Sequence, residues 1–152
     1  MTHILLVEAP YYTAIAEELM AGACEALSLA GATWDRVSVP GAFEIPATIA
    51  HAAGLFLPEG EDPARHYDGF VALGTVIRGE TTHYDYVCSE SARGLQDLAV
   101  RDGLAIGFGI LTVENDEQAW ARADRKRKNK GAEAVNACLA MIEVRQRFEA
   151  TA

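Results

Sequence analysis

Apolar and polar positions alternate in blocks along the chain, and these blocks predict strands that alternate with helices. Four short apolar runs are bounded by turn residues, as strands usually are: residues 3–8, 34–39, 69–73 and 105–111. The last two runs consist almost entirely of apolar residues and glycine, which is typical of strands covered on both faces.

Between and after these runs, apolar residues recur at the three- and four-residue spacing of an amphipathic helix. The pattern predicts five helices: one over 13–30, one from about residue 42, one from 82, one from 115 and one over 130–148. Gly31 is a natural end for the first helix, and Pro46 fits the first turn of the second. Thr82–Asp85 and Asn115–Gln118 have the capping-box pattern that starts a helix.

Strands that alternate with helices imply right-handed crossovers and a parallel sheet. The expected fold class is therefore α/β: a three-layer α/β/α, flavodoxin-like architecture with a four-stranded parallel sheet and helices on both faces. The sequence has no internal repeat or linker, so residues 1–152 are expected to form a single domain. The stretch 57–67, rich in Pro, Gly and acidic residues, is predicted to be a surface loop.

The chain is acidic, with a net charge of −9 and a sequence pI of about 4.8. Nucleic acids and anionic lipids need a positive footprint, so neither is expected as a partner. The basic run Arg125–Lys128 is interpreted as a solvated turn between two helices. No apolar stretch reaches the roughly 20 residues of a membrane-spanning helix, and the N-terminus lacks the basic lead of a secretory signal. A cytoplasmic protein without a membrane partner is expected.

The three cysteines are widely spaced and form no Cys/His cluster of the kind that binds zinc. Cys24, Cys88 and Cys138 each fall on the apolar face of a predicted helix. We expect all three to lie in the core as small apolar residues, and we expect no metal site.

Ligands of an open parallel sheet bind beyond the carboxyl ends of its strands, so a binding site is expected in the loops that follow the strands. Tyr11 and Tyr12 follow the first strand and either pack or form a stacking platform; packing is the better interpretation of the pair alone. Glu44, after the second strand, either favours a helix dipole or binds a polar ligand beside Phe43.

The segment after the third strand is the richest in functional groups. Gly74 and Gly79 are expected to let the backbone turn tightly. Arg78, Thr81 and Thr82 supply donors at the start of a helix, where a phosphate docks well. The helix end disfavours a further positive charge, so His83 is expected to be neutral and able to transfer a proton; the alternative is a surface or capping histidine. The segment matches neither a Walker loop nor GxGxxG.

Two further cations lie near the fourth and fifth helices. Arg122 is suited to bidentate binding of phosphate, and Lys130 follows it after the basic turn. The alternative for both residues is a solvated helix face.

Together these segments resemble the lumazine synthase family over nearly the whole chain. The motifs that carry the resemblance are Val39–Glu44, Leu73–Asp85, Phe108–Thr112 and Asn129–Gly131, in this order. The resemblance implies a transferase of riboflavin biosynthesis that needs no metal or organic cofactor. Its reaction condenses 5-amino-6-(D-ribitylamino)uracil with 3,4-dihydroxy-2-butanone 4-phosphate to give 6,7-dimethyl-8-ribityllumazine, phosphate and water.

The resemblance also implies roles for individual residues. His83 would transfer protons and Arg122 would bind phosphate. Around them, the substrate-binding residues would be Tyr11, Ala42, Phe43, Glu44, Thr75, Val76, Ile77, Glu80, Thr81, Phe108 and Lys130. In this family Phe108 and Arg122 come from the neighbouring subunit, so a homo-oligomer with shared active sites is implied.

The chain departs from the family pattern at three places. Tyr11-Tyr12 stands where the family often has Phe-Asn, which keeps the stacking ring and loses an amide. An N-terminal extension found in many members is absent. Asp124–Lys128 replaces a glycine-containing kink of the capsid-forming members, so a pentamer is expected rather than a sixty-subunit particle.

Two other interpretations remain open from sequence. One is a non-catalytic flavin- or lumazine-binding protein on the same scaffold, since a fold does not fix a function. The presence of both His83 and Arg122 argues against it. The other is an assembly protein, which the acidic chain permits without indicating it.

Overall fold

The computed structural model describes residues 1–149, and strands alternate with helices along that range as the apolar pattern predicts. In chain order the elements are β1 (His3–Ala9), α1 (Thr13–Leu29), β2 (Thr33–Ser38), a 3-10 turn (Ala42–Glu44), α2 (Ile45–Ala52), β3 (Gly69–Ile77), α3 (His83–Asp102), β4 (Ile106–Val113), α4 (Asp116–Ala123) and α5 (Lys130–Phe148). Within these residues, no helix is long and apolar enough to cross a membrane.

The four strands form one parallel sheet in the order β2-β1-β3-β4. Leu5 of β1 lies opposite Asp35 of β2 and Phe70 of β3, and Phe70 lies opposite Ile106 of β4. The chain therefore starts in the middle of the sheet, extends to one edge, and then crosses to the other side. This arrangement confirms the three-layer, flavodoxin-like α/β/α fold.

The two faces of the sheet carry separate helical layers. Alternate residues of β1 pack on opposite sides, so Ile4 and Leu6 contact the α1 and α5 layer while Leu5 and Val7 contact the α2 and α3 layer. At β4, a Cβ on Gly107 would overlap the Ala134 carbonyl oxygen. Glycine there lets α5 approach the sheet closely.

Strand β3 is longer than the sequence predicted. The run was expected to end at Leu73, with Gly74 opening a tight turn, but the strand continues to Ile77. Gly74–Ile77 pair with Ile110–Val113 of β4, and this pairing keeps the segment extended. Gly74 lies within the strand and has no positive φ, so the tight turn predicted at Gly74 was wrong.

Strand β4 is also less covered than expected. Phe108, inside the predicted run 105–111, lies within the strand and is 51% exposed. Thr112 lies four residues further along β4 on the same face and is exposed as well. Because β4 is an edge strand, the helical layer on this face covers Ile110 and leaves both neighbours uncovered.

The two predicted capping boxes form differently from the prediction. Thr82 has helical backbone angles and makes no side-chain cap; instead the Thr81 hydroxyl accepts a bond of 3.3 Å from the His83 amide. Asn115 does cap α4, accepting from the Gln118 amide at 2.9 Å. The side-chain oxygen of Gln118 accepts from the amide of Glu114, whereas a capping box predicts that it accepts from the amide of Asn115.

Cysteine burial and the basic turn also correct the expectations. Only Cys138 is fully buried, which raises its pKa to about 12, whereas Cys24 and Cys88 are half-buried.

In the turn between α4 and α5, the Arg125 guanidinium bonds to Glu18 and Glu25 of α1. This turn is therefore attached to α1 and not simply solvated.

Candidate active site

A cavity of about 700 Å³ opens at the carboxyl edge of the sheet. Its walls come from the ends of β1 and β3, the 3-10 turn, and the first turns of α3. The structure brings nine predicted site residues together here: Tyr11, Ala42, Phe43, Glu44, Thr75, Val76, Ile77, Thr81 and His83.

Three aromatic side chains that line the cavity are exposed: Tyr11 by 75%, Phe43 by 57% and Tyr86 by 66%. Tyr12 instead packs on the cluster that contains Ile15 and Leu111, with its ring edge-on to Tyr11 at 4.9 Å between centroids. Tyr12 therefore packs and also lines the cavity, whereas the more exposed Tyr11 offers a free face to a flat ring.

Polar groups in the cavity wall lack partners within the described residues. The Thr75 hydroxyl is buried and makes no hydrogen bond there. The Glu44 backbone is used, since its amide donates to the Gly41 carbonyl and its carbonyl accepts from Thr48, but no hydrogen bond or ion pair of its carboxylate is found in residues 1–149. A buried hydroxyl without a partner is costly, so a ligand that bonded to Thr75 would gain affinity.

The loop Gly79–Thr82 leads from β3 into α3, and its donors face an open region. A Cβ added at Gly79 would meet no atom within 4 Å. The first amides of the 20-residue helix α3 have no side-chain cap from Thr82. The positive end of a long helix attracts an anion. The Thr81 hydroxyl accepts from the His83 amide there and keeps its own proton for a ligand.

The Arg78 side chain supplies no donor to the cavity, contrary to the sequence prediction. Its guanidinium donates to Glu114 at 2.7 Å and to Asp85 at 3.4 Å, and it does not line the cavity. The hydrogen bond to Glu114 raises the pKa of Arg78. Two carboxylates therefore occupy its charge.

His83 is the first residue of α3 and is exposed at the cavity wall. Among residues 1–149 the imidazole makes no hydrogen bond, and only the backbone amide does. The ring is therefore available to a bound molecule, as a proton-transfer group must be.

Four predicted site residues lie outside the cavity of a single chain. Glu80 is exposed on the loop beside Thr81, and Phe108 is exposed on β4. The Arg122 guanidinium donates to the Gln118 carbonyl at 3.0 Å, and Lys130 bonds to Glu133.

The cavity includes residues that the sequence did not suggest. Tyr84, Tyr86 and Val87 of the first turns of α3 line the cavity. Val87 also packs against the core cluster that contains Ile45 and Leu95. Within residues 1–149, no group of three His, Cys, Asp or Glu side chains is placed to hold a metal ion.

The parallel sheet, the cavity at its carboxyl edge and the exposed histidine at the start of α3 are typical of an α/β enzyme acting on small molecules. Residues 1–146 match the family model described as 6,7-dimethyl-8-ribityllumazine synthase. The chain therefore belongs to the 6,7-dimethyl-8-ribityllumazine synthase family, a family of transferases in riboflavin biosynthesis. The family resemblance of the sequence motifs is confirmed.

Individual relatives agree with this membership. The chain is 58% identical to "6,7-dimethyl-8-ribityllumazine synthase 1" of Rhizobium meliloti, over 97% of this chain and 94% of that protein. It is 56% identical to the 6,7-dimethyl-8-ribityllumazine synthase of Agrobacterium fabrum, over 96% of each chain. The enzyme of the same name from Sphingopyxis alaskensis is 51% identical over 97% of this chain and 98% of its own.

Proposed function

We propose that this protein condenses 5-amino-6-(D-ribitylamino)uracil with 3,4-dihydroxy-2-butanone 4-phosphate to form 6,7-dimethyl-8-ribityllumazine, phosphate and water. The observation that carries the proposal is the cavity itself, because the motifs of the family resemblance, Ala42–Glu44 and Thr75–His83, supply its walls. The chemistry needs a surface for a flat ring, an anion site and a proton-transfer group, and the cavity has a candidate for each.

The pyrimidine and its ribityl chain are assigned to the aromatic side of the cavity. The exposed ring of Tyr11 would stack on the pyrimidine, with Val76 and Ile77 beneath it. The Thr75 hydroxyl and the Glu44 carboxylate would bond to polar atoms of the substrate. Ala42 and Phe43 would hold the ribityl chain against the 3-10 turn.

The phosphate of the four-carbon substrate is assigned to the start of α3. Glu80 and Thr81 would bind it through their backbone amides and the Thr81 hydroxyl, and the helix end supplies further positive potential. His83 would then lie beside the reacting carbons.

In the proposed mechanism, the substrate amine first attacks the ketone, and loss of water leaves an imine. Elimination of phosphate leaves a second carbonyl group, and attack of the ribitylamino nitrogen on it with loss of a second water closes the second ring. Much of the acceleration would come from holding two substrates together, and His83 would move protons between carbon, nitrogen and oxygen.

The site is proposed to be completed by a neighbouring copy in a homopentamer. Phe108, Arg122 and Lys130 lie outside the cavity of their own chain, so they are free to serve the cavity of the next. Arg122 would then balance the phosphate charge. We also propose that residues 1–152 act as one domain in the cytoplasm; the three free thiols agree with a reducing compartment.

The turn between α4 and α5 supports a pentamer over a sixty-subunit shell. Arg125 attaches this turn to Glu18 and Glu25 of α1, and Arg127 pairs with Glu117. Bulky side chains held in this way occupy the kink at which capsid-forming members pack. Sedimentation is expected to give the mass of five chains, and a particle of far greater mass would contradict this assignment.

The activity is tested by mixing the purified protein with both substrates and following the lumazine chromophore against the uncatalysed reaction. Clear acceleration is expected. Binding of lumazine without acceleration would replace the enzyme with a binding protein.

Arg122→Ala tests the contribution of the neighbouring subunit. We expect turnover to fall about 10³-fold, the upper range for removing one donor that stabilises developing charge. Folding should be unchanged, because within residues 1–149 the Arg122 guanidinium bonds only to the helix carbonyl of Gln118. Arg101→Ala, at the far end of α3, is the matched control. Wild-type turnover in Arg122→Ala would exclude the neighbour-supplied phosphate site.

A further inference from the structure

Arg78 occupies a junction between three elements at the site. It directly follows β3, and its amide donates to the Val113 carbonyl at 3.0 Å, so its backbone is still held by β4. Its side chain then reaches beyond both strands toward α3.

The guanidinium of Arg78 contacts one group after β4 and two in the first turn of α3. Nε donates to Glu114 at 2.7 Å, and Nη1 donates to Asp85 at 3.4 Å. The guanidinium carbon lies 4.3 Å from the ring centroid of Tyr84. A planar guanidinium can make these contacts together, whereas an ammonium group is a single point charge.

The loop that Arg78 spans has few attachments of its own. Apart from the bonds within α3 and the Arg78–Asp85 contact, the described hydrogen bonds of this segment are His83 amide to Thr81 hydroxyl and Asp85 amide to Thr82 carbonyl. A Cβ added at Gly79 would meet no atom within 4 Å, so the loop is open on that side. The position of His83 relative to the sheet therefore depends on how the first turn of α3 is held.

The charge around Arg78 also separates it from the substrate. One guanidinium faces two carboxylates, so little positive potential is left to attract a phosphate. The side chain is 41% exposed but does not line the cavity.

We propose that Arg78 is a positioning residue, which fixes the first turn of α3 to the ends of β3 and β4 and so sets the place of His83, without binding substrate. The proposal rests on the function assigned to His83 above. The proposal predicts that replacing Arg78 lowers kcat, and that this loss occurs only when His83 is present.

Arg78→Lys is the first test, because it keeps the charge and loses the planar fork. We expect kcat to fall about tenfold, less than the roughly 10²-fold that a 1 Å displacement of a reacting group costs. The KM for 3,4-dihydroxy-2-butanone 4-phosphate should change less than twofold. Arg101→Lys, whose only ion pair in the described residues is a 3.9 Å contact to Asp97, is the matched control and should keep wild-type kinetics.

The double variant Arg78→Lys/His83→Ala separates positioning from general structural support. If Arg78 acts through His83, adding Arg78→Lys to His83→Ala should change kcat less than twofold. A further tenfold loss in that background would overturn the proposal, as would a tenfold rise in KM with unchanged kcat in Arg78→Lys. Should Arg78→Lys fail to fold, Glu114→Gln removes the same link from the other side and must give the same pattern.

Hydrogen exchange supplies a readout that does not depend on activity. In Arg78→Lys, the amides of the first turn of α3 should exchange faster while those of its middle do not, and Arg101→Lys should leave both unchanged. Unaltered exchange in the first turn would also overturn the proposal. If the unmodified protein lacks synthase activity, the proposed function fails, and the exchange result still reports on the link.

Discussion

The two ends of the sheet each carry a histidine, and the two side chains have opposite surroundings. At the amino end, the His3 ring lies 2.7 Å from the Thr33 hydroxyl and 3.2 Å from the Asp35 carboxylate. It also stacks on Tyr67 with 5.2 Å between ring centroids. At the carboxyl end, the ring of His83 makes no hydrogen bond to any residue in the described range 1–149.

The carboxylates at the two ends differ in the same way. Asp35 accepts from Tyr67, His3 and Arg65, and these donors lower its pKa, the Tyr67 hydroxyl most of all. Glu44 at the cavity has no such donor among the described side chains. Polar side chains that satisfy one another hold the fold together, whereas polar side chains left unsatisfied at a cavity are available to a ligand.

The largest test of this comparison is His83→Ala. Turnover should fall about 10²-fold, the lower end of what a general acid or base contributes, because the cavity would still hold both substrates together. Stability should not change, since no described contact of the ring is lost. Steady-state kinetics and thermal unfolding measure the two effects.

His3→Ala is the matched control at the other end of the sheet. It removes two hydrogen bonds and a stacked ring, so the free energy of unfolding should fall by about 1 kcal/mol. The kcat should stay at the wild-type value. If His83→Ala lowered stability and His3→Ala lowered turnover, the contrast between the two ends would be wrong.

Local patterns predicted the elements well, and tertiary contacts account for what they missed. The spacing of apolar residues located α5 correctly at Lys130–Phe148, because that helix keeps one continuous buried face. Strand β3 was ended four residues early, because Gly74–Ile77 is also compatible with a turn until β4 pairs with it. Only the pairing partner, far along the chain, decides between the two.

The site residues, like the secondary-structure elements, could be predicted from sequence only in part. Motif residues that reach the cavity directly from their own loops, such as Phe43 and His83, could be selected from sequence. Arg78 was assigned to the phosphate because its partner Glu114 lies 36 residues away, and its place in the chain does not reveal that pairing.

The smallest expected effect concerns acid stability at the amino end. Because the folded-state pKa of Asp35 is lowered, its ionised form stabilises the fold at every pH above the usual Asp pKa of about 3.9. That contribution declines as pH falls below this value and is gone once the pH is below the lowered folded-state pKa.

Asp35→Asn removes the titration but keeps an oxygen that accepts from Tyr67. The variant should be less stable than wild type at neutral pH, and the gap should narrow in acid, while kcat at neutral pH is unchanged. Urea unfolding at a series of pH values measures this; a gap that stayed constant, or widened as the pH fell, would mean that the carboxylate of Asp35 is not held by its three donors.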